Sequence, residues 1–244
     1  MISTSPTNFF GSRAEQWSAL YRYKTTFKDR LDLFTLALQA VLPASSKVLD
    51  FGCGPGTLAL ALEDMGYDVL GVDGAQQMIE VARAEAERRK SKRVRFAVMN
   101  AEDLSLEAES YDAVICSSVL EYIDDDMRFV ADIARVIRTG GYFLVSVPHT
   151  ASVFGMGEDI MKRSAAYTRA ARRQHLTFSR RRYQKKQFLG ILEREGFGSF
   201  CCTYFESPIP GKLGVGLSRF PAIGVMLLVV GRKLASGEAS QLVR

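Results

Sequence analysis

The chain has 244 residues, 47% of them hydrophobic, and a formal net charge of +5 at neutral pH. This length suits one domain with an elaborated cap, and this hydrophobic fraction is ordinary for a globular protein with a full core. The four cysteines form no C-x-x-C pair, which argues against a metal centre or a disulfide framework and favours a reducing compartment. Residues 1–10 lack the pattern of a secretory signal, and the longest apolar run, residues 220–230, is shorter than the about 20 residues of a bilayer span. We therefore expect a cytoplasmic protein, with peripheral membrane contact left open.

The first segment in chain order is helical. Residues 12–42 read as helix with breaks, and Trp17, Leu20 and Tyr21 share one face at i, i+3 and i+4 spacing. The second part of this segment is amphipathic and ends at Pro43. The pattern predicts an aromatic-rich helical arm before the first strand.

A glycine-rich loop follows the first strand. The run Val48-Leu49-Asp50-Phe51 leads into Gly52-Cys53-Gly54-Pro55-Gly56, and a helical pattern over 57–65 begins at once. Glycines at such a strand–helix junction let the backbone approach a ligand without a Cβ in the way. The next apolar run ends in Asp73, and an acid at the end of a second strand is placed to bond ribose hydroxyls.

A nicotinamide dinucleotide is the first cofactor to test against this loop. Its fingerprint is G-x-G-x-x-G, and here Thr57 occupies the third glycine position. Asp50 also stands at the entrance of the loop, where a carboxylate would repel a pyrophosphate but suit a ligand with a cationic amine. Both observations disfavour a hydride-transfer enzyme.

Strands and helices alternate along the middle of the chain, which predicts a parallel sheet with helices on both faces. The predicted elements are strand 47–51, helix 57–65, strand 68–72, helix 76–89, strand 93–98, strand 111–116, helix 126–138 and strand 141–147. A helix over 182–195 and two strands, 199–206 and 225–231, follow a basic segment, and the connection between those strands reads as loop.

Asp50, the G-x-G-x-G loop and Asp73 resemble motif I and the acidic strand after it in the class I S-adenosylmethionine-dependent methyltransferases of small-molecule type. The resemblance continues through residues 100–103, where that family contacts adenine, and through 117–122, the loop after its fourth strand. It implies an α/β fold with a doubly wound Rossmann-like sheet, mostly parallel with an antiparallel last strand, a helical N-terminal lid and a cap insertion.

The same resemblance implies one domain made of five parts. These are a helical arm over 1–42, a cofactor-binding core over 43–148, a basic substrate cap over 149–187, the C-terminal part of the sheet over 188–234 and a flexible tail over 235–244.

By the same resemblance the cofactor is S-adenosyl-L-methionine, and the residues expected around it come from four segments. The loop after the first strand meets the methionine moiety, the acid after the second strand holds the ribose, the following helix and the 100–103 segment meet adenine, and the end of the fourth strand lies near the sulfonium. The cofactor-binding candidates are Asp50, Gly52, Cys53, Gly54, Asp73, Gly74, Met78, Ala101, Glu102 and Ser117. Met78 could equally be a core methionine, and Asp73 could also cap the following helix.

Catalytic and acceptor-binding candidates are fewer. His149 follows the fifth strand and is the candidate general base, and the alternative is a loop histidine without a role. The acceptor-binding candidates are Tyr21, Glu121, Tyr122 and His175. Many members of the resembled family have histidine where Tyr122 stands, and this departure puts a base at that position in doubt.

The segment 162–186 contains ten Lys or Arg residues and no acid. It is either a solvated face or a patch for an anionic substrate, a lipid surface or nucleic acid. We predict O-methylation of a small or medium-sized metabolite, anionic or lipid-like, with oligomeric state left open. RNA modification, N-methylation and a non-catalytic cofactor-binding module remain alternatives. The segment 117–120 has no proline, which argues against methylation of a flipped base at its exocyclic amine.

Overall fold

The computed structural model describes residues 5–23, 25–161, 179, 181–209, 211–235 and 238. Seven strands form one sheet. They are β1 Lys47–Phe51, β2 Asp68–Asp73, β3 Val94–Val98, β4 Tyr111–Ser117, β5 Ile137–Pro148, β6 Phe197–Phe205 and β7 Met226–Lys233.

Helices precede, connect and follow these strands. They are α1 Pro6–Gly11, α2 Ala14–Tyr23, α3 Thr25–Gln39, α4 Thr57–Asp64, α5 Gln76–Arg89, α6 Asp126–Val136, α7 Val153–Met161, α8 Lys185–Arg194 and α9 Gly211–Leu217, together with the 3₁₀ turn Leu120–Tyr122. The segment 12–42, predicted as helix with breaks, contains α2 and α3, and a further helix that was not predicted, α1, lies before it at Pro6–Gly11.

The strand order across the sheet is β3-β2-β1-β4-β5-β7-β6. Neighbouring strands from β1 to β5 are parallel, whereas β7 runs antiparallel to both β5 and β6. This confirms the predicted α/β fold, including its antiparallel last strand. The chain order reverses between β1 and β4, and a ligand crevice forms at such a switch point, beyond the carboxyl ends of the strands.

The strands β1, β4 and β7 are buried along most of their lengths, because apolar side chains cover both faces of the sheet. On one face Phe51 and Phe143 pack with Phe129 of α6 and Phe188 of α8. On the other face α3, α4 and α5 contribute their own buried residues. Two packed layers hold the strand ends rigidly, so the loops that follow β1, β2 and β4 start from fixed positions.

The boundary between α6 and β5 differs from the prediction. The helix ends at Val136 and β5 begins at Ile137, so the predicted helix end at 138 and strand start at 141 were wrong. Tyr111 of β4 pairs with Ile137, and the register shifts between Tyr111 and Ala113. Pairing with β4 therefore holds β-branched Ile137 in a strand where the sequence pattern alone continued the helix.

The connection between β6 and β7 contains α9, although the sequence predicted only loop there. Three of its seven residues are glycines, which are poor helix formers. A Cβ on Gly214 would lie 1.7 Å from the carbonyl oxygen of Ile209. Close backbone packing therefore requires glycine in this helix, and glycine content misleads a prediction from propensity.

Candidate active site

A cavity of about 1180 Å³ opens beyond the carboxyl ends of β1, β2 and β4. Its floor comes from the loops after these strands, and its walls come from the N-terminal helices and from the segments flanking α8 and β7. The predicted site residues that line it are Gly52, Cys53, Gly54, Asp73, Gly74, Met78, Ala101, Glu102, Ser117, Glu121 and Tyr122.

The loop after β1 depends on glycine at two alternate positions, Gly52 and Gly54. Gly52 has φ +73° and Gly54 has φ +53°, both in the left-handed region that side chains disfavour. A Cβ on Gly52 would also lie 2.2 Å from the Cγ2 atom of Val119. The loop after β4 therefore packs directly on the loop after β1, and the backbone at Gly54 borders open cavity.

Asp73 ties two of these loops together. Its Oδ2 accepts a hydrogen bond from the Gly54 backbone at 3.0 Å, and its Oδ1 accepts one from the Ala75 backbone at 2.8 Å. Helix α5 begins at Gln76 after Ala75 and has no side-chain cap, so Asp73 supports the turn before the helix and is not its N-cap residue. Burial raises the pKa of the Asp73 carboxyl. The ribose assignment of Asp73 stays a prediction.

Asp50 lies in β1, two residues before Gly52, is 2% exposed and is not itself among the residues that line the cavity. Its Oδ2 is buried without a hydrogen-bond partner in the described part of the chain. Burial, and then the charge of Asp73, raises the pKa of Asp50 to about 7. A buried carboxylate is costly unless a cation or donor satisfies it.

These features fit S-adenosylmethionine. The unsatisfied Asp50 oxygen suits the cationic ammonium of its methionine moiety, and the glycine backbone leaves room for close approach. The Ser117 Oγ is a second buried oxygen without a described partner, and it lies at the end of β4 beside the same cavity. Met78 is buried in α5 and also lines the cavity, so both of its predicted roles are compatible with the structure.

His149 is not among the residues that line the cavity. It is 2% exposed, and its Nε2 lies 2.8 Å from the carbonyl oxygen of Gly224, so Nε2 donates this hydrogen bond. Its ring packs on Tyr204, and burial lowers its pKa. The base assignment of His149 stays a prediction, and this enclosed position does not favour it.

Two other candidates fall where the structure gives no side-chain description. His175 lies outside the described residues, as does most of the basic segment 162–186. Tyr21 lies in α2, and only its backbone is described.

Other residues of the N-terminal arm do form part of the site. Phe10 of α1 contacts both Trp17 and Tyr122, with ring centroids 5.5 Å and 5.3 Å apart, and Trp17 contacts Phe27 at 5.7 Å. Phe10, Trp17, Phe27 and Tyr122 line the cavity. The arm therefore forms an aromatic wall of the cavity. The helical periodicity gave Trp17, but Phe10 was missed because it lies before the predicted helix.

The sequence also did not predict the charged side chains that line the cavity. The Nε atom of Arg30 donates to Glu206 Oε1 at 2.8 Å, and the Nε atom of Arg182 donates to Asp159 Oδ2 at 2.8 Å. Arg30, Glu206 and Arg182 all line the cavity. Arg30 and Glu206 are separated by 176 positions in the chain, so no local sequence pattern predicts that they pair.

Comparisons with known proteins agree with this geometry. Residues 49–145 match a family model described as a methyltransferase domain. The chain is 33% identical over 126 residues to the uncharacterized methyltransferase YcgJ of Bacillus subtilis, covering 52% of this chain and 50% of that protein. It is 34% identical over 129 residues to the ubiquinone biosynthesis O-methyltransferase of Xanthomonas campestris, covering 52% of each.

A solved structure with a similar fold is Haemonchus contortus phosphoethanolamine N-methyltransferase 2 in complex with phosphomonomethylethanolamine and S-adenosylhomocysteine. The TM-score is 0.70 at 18% identity, covering 96% of this chain and 61% of that one. The chain spans about half the length of the curated relatives it matches. The match of the family model over residues 49–145 includes the glycine loop and Asp73, whereas Arg30, Arg182 and Glu206 lie outside it.

Proposed function

We propose that this chain, which matches a methyltransferase domain over residues 49–145, is a class I S-adenosylmethionine-dependent methyltransferase that transfers the methyl group of that cofactor to an oxygen atom of a small or medium-sized metabolite. The observation that carries the proposal is the unsatisfied Asp50 oxygen beneath a loop whose glycines leave cofactor-sized space. The Xanthomonas relative, which bears an O-methyltransferase name, supports oxygen as the acceptor atom.

The residues of the proposed cofactor pocket would act by binding and alignment. Asp50 would pair with the ammonium group, Asp73 would bond the ribose diol, and Ala101 and Glu102 would border the adenine. When bound, S-adenosylmethionine supplies a methyl group on a sulfonium leaving group, so the chemistry needs little further activation. Alignment of reacting atoms can contribute up to about 11 kcal/mol in favourable cases. The protein's main task in this proposal is to hold the acceptor in line with the methyl group.

The walls of the remaining cavity support an acceptor with an apolar body and a polar end. Phe10, Trp17 and Phe27 offer aromatic surface, whereas Arg30 and Arg182, each paired with a carboxylate, offer guanidinium groups that an anionic acceptor would share. Arg182 belongs to the described end of the basic segment. An aromatic or lipid-like compound that carries a hydroxyl and an anionic group would fit both walls.

The proposal is tested by incubating the protein with S-adenosylmethionine and a panel of phenols, hydroxylated carboxylates and lipid-like hydroxyl compounds. Mass spectrometry follows the gain of one methyl group on each compound, together with release of S-adenosylhomocysteine. O-methylation of anionic or lipid-like members is the expected result. Exclusive methylation of amines added to the panel would contradict oxygen as the acceptor atom.

We further propose contact with an anionic membrane surface as the route by which a lipid-like acceptor arrives. Residues of α7 and of the α9 region expose apolar side chains, with Ile160 at 68%, Leu213 at 69% and Phe220 at 60% exposure. The sequence adjacent to α7 is the basic segment 162–186. In contrast, Met226 to Val230 are buried in β7, so this part of the apolar run 220–230 packs within the sheet.

Co-sedimentation with vesicles tests this contact. Binding to vesicles that contain phosphatidylglycerol, but not to pure phosphatidylcholine, is the expected result, and Phe220→Ser should weaken it while Leu36→Ser on α3 should not. Binding to neither kind of vesicle, or equal binding to both, would contradict the proposal. No helix in the described ranges is long and apolar enough to cross a bilayer.

A further inference from the structure

The side chain of Glu121 lies at the cavity wall in a position that the proposed cofactor contacts do not explain. It belongs to the 3₁₀ turn directly after β4, is 4% exposed and lines the cavity. Its Oε2 atom is buried and has no hydrogen-bond partner within the described ranges. A buried carboxyl oxygen in this state destabilises the protein unless a ligand supplies a donor.

Charged and titratable groups from several elements face this carboxyl. Burial is the largest influence and raises the pKa of Glu121 to about 7, while the charges of Arg30 and Arg182 oppose the rise and that of Glu206 adds to it. Tyr183, which donates a hydrogen bond to Asp126, has its own pKa raised mainly by burial and in part by Glu121. The carboxyl is therefore present in both protonation states near neutral pH, which suits a group that takes up a proton.

Glu121 also lies close to the cofactor side of the cavity. Asp50 pairs with Ile115 of β4, next to Cys116, and Glu121 follows the end of the same strand. Burial first, and then the charges of Glu121 and Asp50, raise the pKa of the buried Cys116 thiol. Val119, two residues before Glu121, packs against the Cα of Gly52 in the glycine loop. The carboxyl thus stands where the glycine loop meets the acceptor walls.

Building on the proposed methyl transfer, we infer that Glu121 accepts the proton of the acceptor's O–H or N–H group at the atom that is methylated. The acceptor lone pair forms the new bond to the methyl carbon, the electron pair of the broken carbon–sulfur bond stays on sulfur, and the acceptor proton passes to the Glu121 carboxylate. The unsatisfied Oε2 atom is the one that receives this proton. An acceptor hydroxyl would also satisfy it by a hydrogen bond before the reaction.

This role makes a prediction that needs no known acceptor. S-adenosylmethionine and S-adenosylhomocysteine carry the same ammonium group, so both should act alike on Asp50, but only the former brings a positive sulfonium to the transfer point. A positive charge beside Glu121 favours its ionised form and expels its proton. Wild-type protein at about pH 7 should therefore release more protons with S-adenosylmethionine, by up to about half a proton per site.

Calorimetric titration of both compounds in phosphate and in Tris measures this difference, since these buffers have different ionisation enthalpies. Glu121→Gln, which mimics the protonated side chain, should abolish the difference while keeping micromolar binding. Glu193→Gln on the exposed face of α8 should retain it. Equal proton release by the two compounds in wild-type protein, or a difference that persists in Glu121→Gln, would overturn the inference.

Two further outcomes separate this inference from the proposal beneath it. Binding of neither compound would contradict the proposed cofactor itself, and with it the role of Glu121. If thermal melting shows that Glu121→Gln does not fold, Glu121→Ala takes its place in the same comparison. Independently of either variant, equal proton release by the two compounds in wild-type protein contradicts the inference.

Discussion

The cofactor side and the acceptor side of the cavity are built in different ways. On the cofactor side, the backbone defines the shape of the cavity, through glycines with positive φ, the strand ends and the hydrogen bonds that Asp73 accepts. On the acceptor side, long side chains from distant segments meet, as in the pair formed by Arg30 and Glu206. Local backbone geometry thus forms one half, and tertiary packing assembles the other.

This contrast predicts that the largest single effect comes from adding one carbon to the cofactor side. Gly52→Ala would place a methyl group 2.2 Å from Val119 Cγ2 and at φ +73°. We expect cofactor binding to weaken by more than about 100-fold and unfolding free energy to fall by about 1–3 kcal/mol. Calorimetry and urea unfolding measure the two quantities.

The matched control is Gly190→Ala in α8, where nothing lies within 4 Å of the added Cβ. The same substitution in this helix should stabilise the protein by about 0.5–1 kcal/mol and leave cofactor affinity unchanged. Equal effects of the two alanine substitutions on cofactor affinity and stability would contradict a specific requirement for glycine in the loop after β1.

The next largest effect concerns pH and Asp50. Its native pKa of about 7 exceeds the unfolded value of about 3.9, so folding retains a proton that the unfolded chain loses. The stability from this proton is fully present below about pH 4 and is lost as the pH rises through about 7. Between about pH 5 and about pH 8, this group should therefore lower the unfolding free energy of the cofactor-free wild-type protein by roughly 3 kcal/mol. Asp50→Asn should abolish that decrease.

Urea unfolding at the two pH values checks this expectation. Asp64→Asn, on the exposed end of α4, should keep the wild-type pH dependence. A wild-type dependence that survives unchanged in Asp50→Asn would assign the titration to another group, such as Glu121.

A smaller effect is expected at Asp73. Asp73→Ala removes both of its backbone hydrogen bonds and the proposed ribose contact, which should weaken S-adenosylhomocysteine binding by roughly 10–100-fold with the fold intact. Calorimetry gives the affinity and circular dichroism the fold. An unchanged affinity of Asp73→Ala for S-adenosylhomocysteine would contradict the proposed contact between Asp73 and the ribose.

The smallest effect lies on the acceptor side. The side chains of Arg30 and Glu206 are 15% and 16% exposed, so a double-mutant cycle with Arg30→Met and Glu206→Gln should give a coupling energy of about 1 kcal/mol. Cofactor affinity should change by less than about twofold. A large loss of affinity in either variant would show that the two sides are not separate.

The same contrast explains what could be predicted from the sequence. Gly52, Gly54 and Asp73 were found because the order strand, glycine loop, helix, strand and acid is a local pattern, and the seven-stranded fold followed from it. The pair formed by Arg30 and Glu206 was missed because its members meet only after the sheet has formed.

Two departures have the same physical origin. The start of β5 at Ile137 depends on pairing with β4, and α9 depends on glycine packing against Ile209, so both are tertiary effects that override local propensity. His149 looked catalytic because it follows a strand end, yet the backbone at Gly224 encloses its ring.

The most direct test of the central claim is calorimetric titration of the wild-type protein with S-adenosylhomocysteine, with NADH as the control ligand. We expect micromolar binding of S-adenosylhomocysteine and none of NADH, because Asp50 and the glycine loop suit a cationic amine and not a pyrophosphate. Binding of NADH without binding of S-adenosylhomocysteine would contradict it.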